Sequence, residues 1–170
     1  MKKTILIFMA VAFFANCSMA QSTEDYGNTL NIGVGLGYYG YVNHSTPAVN
    51  LNYELNVARN FTLAPFVTFF SYKDNYYHQT VIPIGVKGTY YFDQLLDADS
   101  KWDFYGAGSL GFSIIKTSWE NNYSGPENRN VGASSLYLDL HIGTEYHLNN
   151  KLGVYLDLST GISTIGLAIH

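Results

Sequence analysis

The dominant regularity along this chain is a period of two. Val49, Leu51, Tyr53, Leu55 and Val57 alternate with Asn50, Asn52, Glu54 and Asn56. Side chains that repeat every second residue line one face of an extended strand, and no helical stripe fits this spacing. Leu30, Ile32, Val34, Leu36 and Tyr38 alternate in the same way with Asn31, Gly33, Gly35 and Gly37. Leu136, Leu138, Leu140 and Ile142 alternate with Tyr137, Asp139, His141 and Gly143. Continued along the chain, the pattern predicts eight strands, at 28–41, 48–57, 61–72, 80–92, 101–116, 134–147, 151–159 and 162–170. Consecutive strands joined by short links predict an all-β, eight-stranded antiparallel up-and-down barrel.

The links alternate in length. Those at 58–60 and 148–150 are tight, whereas 42–47, 73–79 and 117–133 are longer and rich in Asn, Ser, Tyr and charge. A membrane barrel keeps its short turns on the periplasmic side and its longer loops outside, so both termini are expected in the periplasm. Residues 93–100 are long for such a turn, and Thr160-Gly161 is short for an outer loop.

Composition then decides which face is in and which is out. Charged residues make up 13% of the chain and aromatics 16%, a balance suited to a surface in lipid. A soluble lipocalin-like barrel would also alternate, but an eight-stranded lumen is only just wide enough for side chains. The polar face carries Gly33, Gly35, Gly37, Gly85, Ala107, Ser109, Gly111, Gly143, Gly153 and Gly166, which suit a crowded interior, and the bulky Leu, Ile, Val, Phe and Tyr face is therefore expected to meet lipid. On that face Phe61, Tyr90, Phe92, Trp102, Phe104 and Tyr146 fall at the predicted periplasmic strand ends, as an interfacial aromatic belt does, with Tyr38 and Phe69 near the outer ends.

The first twenty residues stand apart. Lys2 and Lys3 precede the apolar run Ile5 to Ala15, and Ser18-Met19-Ala20 supplies small residues before a cut expected between Ala20 and Gln21. Residues 1–20 read as a signal peptide and 21–170 as one barrel domain. The lone Cys17 opens an alternative, lipidation after a cut before it, with Asn16 a poor residue at that cut. Net charge is −4 with no basic block, which argues against nucleic acid as a partner.

With these features the chain resembles the small eight-stranded OmpA/OmpX-like outer-membrane barrels, and the start at Gln21 resembles exported Bacteroidetes proteins. The resemblance covers the whole mature chain and rests on pattern. It implies a monomer in the cell outer membrane, contact with membrane lipid and lipopolysaccharide, and insertion by the barrel-assembly machinery. Such barrels end on an outward aromatic. Here Ile165, Leu167 and Ile169 point outward and Gly166, Ala168 and His170 inward, so that aromatic would fall one position past His170.

Candidate chemistry lies in the lumen, where Glu54, Lys87, Asp103, Asp139, His141, Glu145 and Asp157 are expected to form a paired polar network, because unpaired buried charge is costly. If the turn at 148–150 sets the register, positions summing to about 298 pair, which brings His141 beside Asp157. Lys87 has Glu54, Asp139 or Asp157 as partners. A lipid-modifying enzyme, a lipid A deacylase or acyltransferase, is the alternative, with His141 as base, Asp157 as orienter and Ser159 or Ser163 as nucleophile. The deacylase family spaces its His and Ser two apart on one face, but two residues after His141 stands Gly143. A narrow pore would require the polar plug to open. His44, His78, His147 and His170 show no ligand spacing, so neither metal nor cofactor is expected. The triplets Asn43-His44-Ser45, Asn60-Phe61-Thr62 and Asn122-Tyr123-Ser124 carry no weight in a bacterium. The expected role is structural or surface-interacting. Its adhesion-like element is the Tyr, Trp and Asn mixture of the loops, Tyr72 to His78 and Ser118 to Asn130 with Trp119, Glu120, Tyr123 and Arg129, which suits an extracellular protein or glycan.

Overall fold

Leu30 to Gly37 pairs with both the next strand and the last one, and that double pairing closes the sheet. The structure, a computed structural model, describes residues 26–37, 46–73, 77–96, 98–119 and 135–170. Its strands are β1 (Thr29–Gly37), β2 (Thr46–Ala58), β3 (Phe61–Lys73), β4 (Tyr77–Tyr91), β5 (Trp102–Trp119), β6 (Leu136–Asn149), β7 (Leu152–Ser159) and β8 (Ile162–Ile169). Each is antiparallel to its neighbours, in the closed order β1 to β8. This is the expected eight-stranded up-and-down barrel. The signal-peptide residues with Ala20, Gln21 and Cys17, together with Tyr38, His44 and residues 120–134, lie outside the described residues.

β2, β4 and β5 run two or three residues beyond their expected limits. The long link after β4 is taken up by a single 3₁₀ turn, Asp93–Leu96, so this connection still closes on the same end as the tight turns after β2 and β6. Asn60 holds the tight β2–β3 turn with a φ of 57°, a left-handed backbone that Asn tolerates better than most residues. Prolines mark the ladder. Pairing between β2 and β3 lapses between Asn52↔Phe66 and Leu55↔Leu63, the stretch holding Pro65, which has no N–H to donate.

The barrel is inverted relative to a water-soluble protein. Val34, Leu110, Leu138, Leu140 and Ile142 are each at least 60% exposed on the outer wall, whereas Asn52, Glu54, Lys87, Asp139, Glu145 and Asp157 are buried inside. The interior is not uniformly polar as the alternation suggested. Ala48, Phe66, Phe70, Tyr72, Val81, Tyr137 and Ile162 form an apolar plug in the half nearer the long loops. Glycine makes the room for two of the tyrosine rings nearer the other end, Tyr155 and Tyr105. A Cβ on Gly33 would fall 2.1 Å from the Tyr155 hydroxyl, and one on Gly143 would fall 2.3 Å from the Tyr105 ring.

Several outer-wall aromatics gather at the short-turn end, while Phe69 and Phe112 lie toward the long-loop end. Phe61 pairs with Tyr90 and Trp102 with Tyr146, and the Trp102 ring lies 4.8 Å from Tyr146 and 6.1 Å from Phe104. Phe92 follows β4 at the same end, its ring within reach of Gly106.

Candidate functional site: a charged lumen and its mouth

Alternation puts the odd-numbered residues of β4 through β7 inside, and closure then brings polar side chains from four strands to one level. Lys87 on β4 reaches Asp157 on β7 at 2.5 Å, with its ammonium 4.9 Å from the centre of the Tyr105 ring. Asp157 also accepts from the Tyr105 hydroxyl at 3.1 Å and meets His141 Nδ1 at 2.7 Å. His141 Nε2 lies 2.9 Å from Ser109 Oγ on β5. The chain Ser109, His141, Asp157, Lys87 is thus continuous across β5, β6, β7 and β4.

The His141–Asp157 contact forms in a register other than the one the turn suggested. His141 stands opposite Ser159, and Asp157 opposite Gly143, because β6 carries an irregularity between His147 and Asn149 and the turn falls on Asn150 and Lys151. The two side chains meet diagonally, a separation long side chains bridge.

Of the three partners open to Lys87, only Asp157 is taken. Glu54 is held by Asn31 Nδ2 at 2.9 Å, Thr62 Oγ1 at 2.5 Å and the Tyr91 hydroxyl at 2.8 Å. Asp139 fastens the β7–β8 turn. It accepts from the Thr160 hydroxyl at 2.7 Å, the Gly161 N–H at 2.8 Å and the Ser159 hydroxyl at 3.0 Å. That carboxylate is why so short a link suffices at the long-loop end. It also occupies Ser159, and the Ser163 hydroxyl accepts from the Ser159 N–H at 3.0 Å, so neither proposed nucleophile reaches His141.

Ser109, His141 and Asp157 have the hydrogen-bond order of a serine hydrolase triad. They border a cavity of about 20 Å³, room for one water molecule. The same carboxylate that orients His141 is neutralised by Lys87.

At the short-turn end a different cluster lies just inside the mouth. Glu145 and His147 project from β6, Asp103 from β5, and His170 follows β8. His170 Nε2 is 2.7 Å from Glu145 Oε1, and His147 Nε2 is 2.8 Å from Asp103 Oδ2. Sequence reasoning passed over these histidines because they lie far apart along the chain. Only the closed sheet makes them neighbours.

No family model matches the chain, and no curated protein matches it by sequence. Among solved structures it is similar to neisserial surface protein A, with a TM-score of 0.53 and 15% identity over 83% of this chain and 94% of that one. A de novo designed transmembrane β-barrel is similar too, with a TM-score of 0.52 and 13% identity over 86% and 98% of the two chains. At these identities the likeness is one of fold.

Proposed function

We propose that the chain is an integral outer-membrane barrel with a structural or surface-interaction role, exported by a leader cut between Ala20 and Gln21 and inserted by the barrel-assembly machinery. The observation that carries this reading is the inverted wall: aliphatic side chains such as Leu140, 69% exposed, surround a buried polar interior. Water does not select that arrangement, whereas hydrocarbon does. The Trp102, Phe104, Tyr146, Phe61 and Tyr90 group then sits at the periplasmic boundary, in contact with lipid headgroups. The opposite end faces outward toward lipopolysaccharide. There Trp119 ends β5 and Tyr77 opens β4, while Tyr72, expected in the loop, belongs to β3 and is buried in the plug. With the Asn- and Tyr-containing links beyond them, Trp119 and Tyr77 offer the aromatic and amide mixture that suits an extracellular protein or glycan. The filled lumen and the enclosed serine support a protein without catalysis, working as a monomer.

The test is heat-modifiable migration of the outer-membrane fraction on a gel. An unboiled band that runs faster than the boiled one, with Gln21 as the first residue, is expected. A product found only in the soluble periplasm, with no shift on boiling, overturns the reading.

A further inference from the structure

We propose that Glu145, His147 and His170 form a binding site for one divalent transition-metal ion of the zinc class at the short-turn mouth of the barrel. One ligand atom from each of the three lies within 4.8 Å of the other two. Two imidazoles and a carboxylate are a donor set that zinc accepts, with a fourth position left for water.

The surroundings of these side chains are arranged as they are around metal-binding histidines elsewhere, where the ring nitrogen that does not ligate is held by a carboxylate or another fixed polar group. His147 Nε2 is held by Asp103 Oδ2 at 2.8 Å, which turns Nδ1 toward Glu145 Oε1, 3.8 Å away. His170 Nδ1 is held by Thr29 Oγ1 at 3.0 Å, which turns Nε2 toward the same oxygen, 2.7 Å away. The remaining ring nitrogen of each histidine therefore faces the same carboxylate oxygen, with ring centres 5.0 Å apart. With the ion absent, His170 donates its Nε2 proton to Glu145. With the ion bound, that proton moves to Nδ1, where Thr29 accepts it, and the Nε2 lone pair turns to the metal.

Backbone design keeps the place open. β7 runs between β6 and the end of β8, and its residue at this level is Gly153, opposite both His147 and Ala168. A Cβ there would lie 2.0 Å from Glu145 Oε1. Gly153 is the gap through which Glu145 reaches His170 across an intervening strand. A cleft lined by Tyr26, Lys101, Asp103, His147 and Asn149 opens to solvent at His147. Ligands around zinc sit about 3.3 Å apart, given metal–ligand lengths of about 2.0–2.1 Å, so the two rings and the carboxylate would turn toward one another to close the sphere. The ion would tie β6 to the end of β8, and through Thr29 to β1, where the sheet closes. This inference needs the barrel fold and does not depend on the location or role proposed above.

The experiment uses the full chain as exported, without a histidine tag, purified in detergent, stripped with a chelator and titrated with zinc chloride by calorimetry, with cobalt absorption as a second readout. One equivalent of zinc should bind, with magnesium failing to compete. His147→Ala and His170→Ala should each weaken binding about a hundredfold, and Asp103→Asn about ten- to a hundredfold. Gly153→Ala should weaken it comparably while the unboiled gel shift shows the barrel folded, so loss of binding is not loss of fold. His141→Ala, in the network deeper in the lumen, should leave zinc affinity within about threefold. Absence of a saturable single site in the folded wild type overturns the proposal. So does a folded double variant at His147 and His170 that binds zinc as tightly as wild type.

Discussion

At the scale of single residues, the lumen is a set of charges each assigned to a partner, and Lys87 is held in the buried pair with Asp157. Removing one member of a buried ion pair leaves the other uncompensated, at about 3–5 kcal/mol. Lys87→Met is therefore expected to lower the denaturant midpoint of the folded barrel in detergent by that order, with Asp157 left to His141 and Tyr105 alone. His141→Ala separates two roles for the Ser109 chain. A lowered unfolding temperature with no change in lipid release from membranes is the outcome expected of a structural network, whereas loss of a lipid-releasing activity from an undiminished barrel would make Ser109 a nucleophile. The sequence carried much of this site: parity along each strand placed Glu54, Lys87, Asp139, His141 and Asp157 on one face. Which of them meet depends on how the eight strands stagger, and the turn falling on Asn150 and Lys151 moved the partner of His141 from Asp157 to Ser159. Ser109 and Glu145 were placed in the lumen, but for the same reason neither the contact of Ser109 with His141 nor the cluster of Glu145, His147 and His170 followed from the sequence.

At the scale of elements, the strands were legible because a two-residue repeat has only one structural reading, and their lengths were less so because strands run on past the last strict alternation. β5 reaches Trp119 through Ile114, Ile115 and Lys116, where polar and apolar positions no longer alternate cleanly, yet the ladder to β4 continues to Tyr77. In β3, parity sets Phe66 and Phe70 on the face opposite Phe61 and Phe69, inside the barrel, where their apolar character alone would not place them. The outer face of β6 offers a direct test of what surrounds it. Ile142 and Leu148 are both more than half exposed, but Ile142 lies mid-strand and Leu148 near the short-turn end. In a bilayer, Ile142→Lys should cost about 2–4 kcal/mol and Leu148→Lys about 0–1, because a lysine near the interface reaches water. Folding titrations in lipid vesicles measure the difference. Two equal and negligible costs would mean that this wall meets water.

At the scale of the whole molecule, closure and filling together determine what the barrel can pass. A path for ions would have to run from the apolar plug of Phe66, Phe70, Tyr72 and Tyr137, past the Lys87–Asp157 pair, and out beneath Tyr91 and Tyr26, whose rings stack 4.3 Å apart at the short-turn mouth. Among the described residues, a cavity of about 20 Å³ lies between the plug and the ion pair, enough for a water molecule but not for a hydrated ion. Three barriers of different chemistry lie in series, so weakening one leaves the others shut. Planar-bilayer recordings of the purified protein should accordingly show no unitary steps, and Phe70→Ala, which thins the plug alone, should remain silent. Lasting steps in the wild type that scale with salt concentration would mean that the lumen opens. The charge network would then act as a gate, and the role of the protein would shift from its outer surface to its interior.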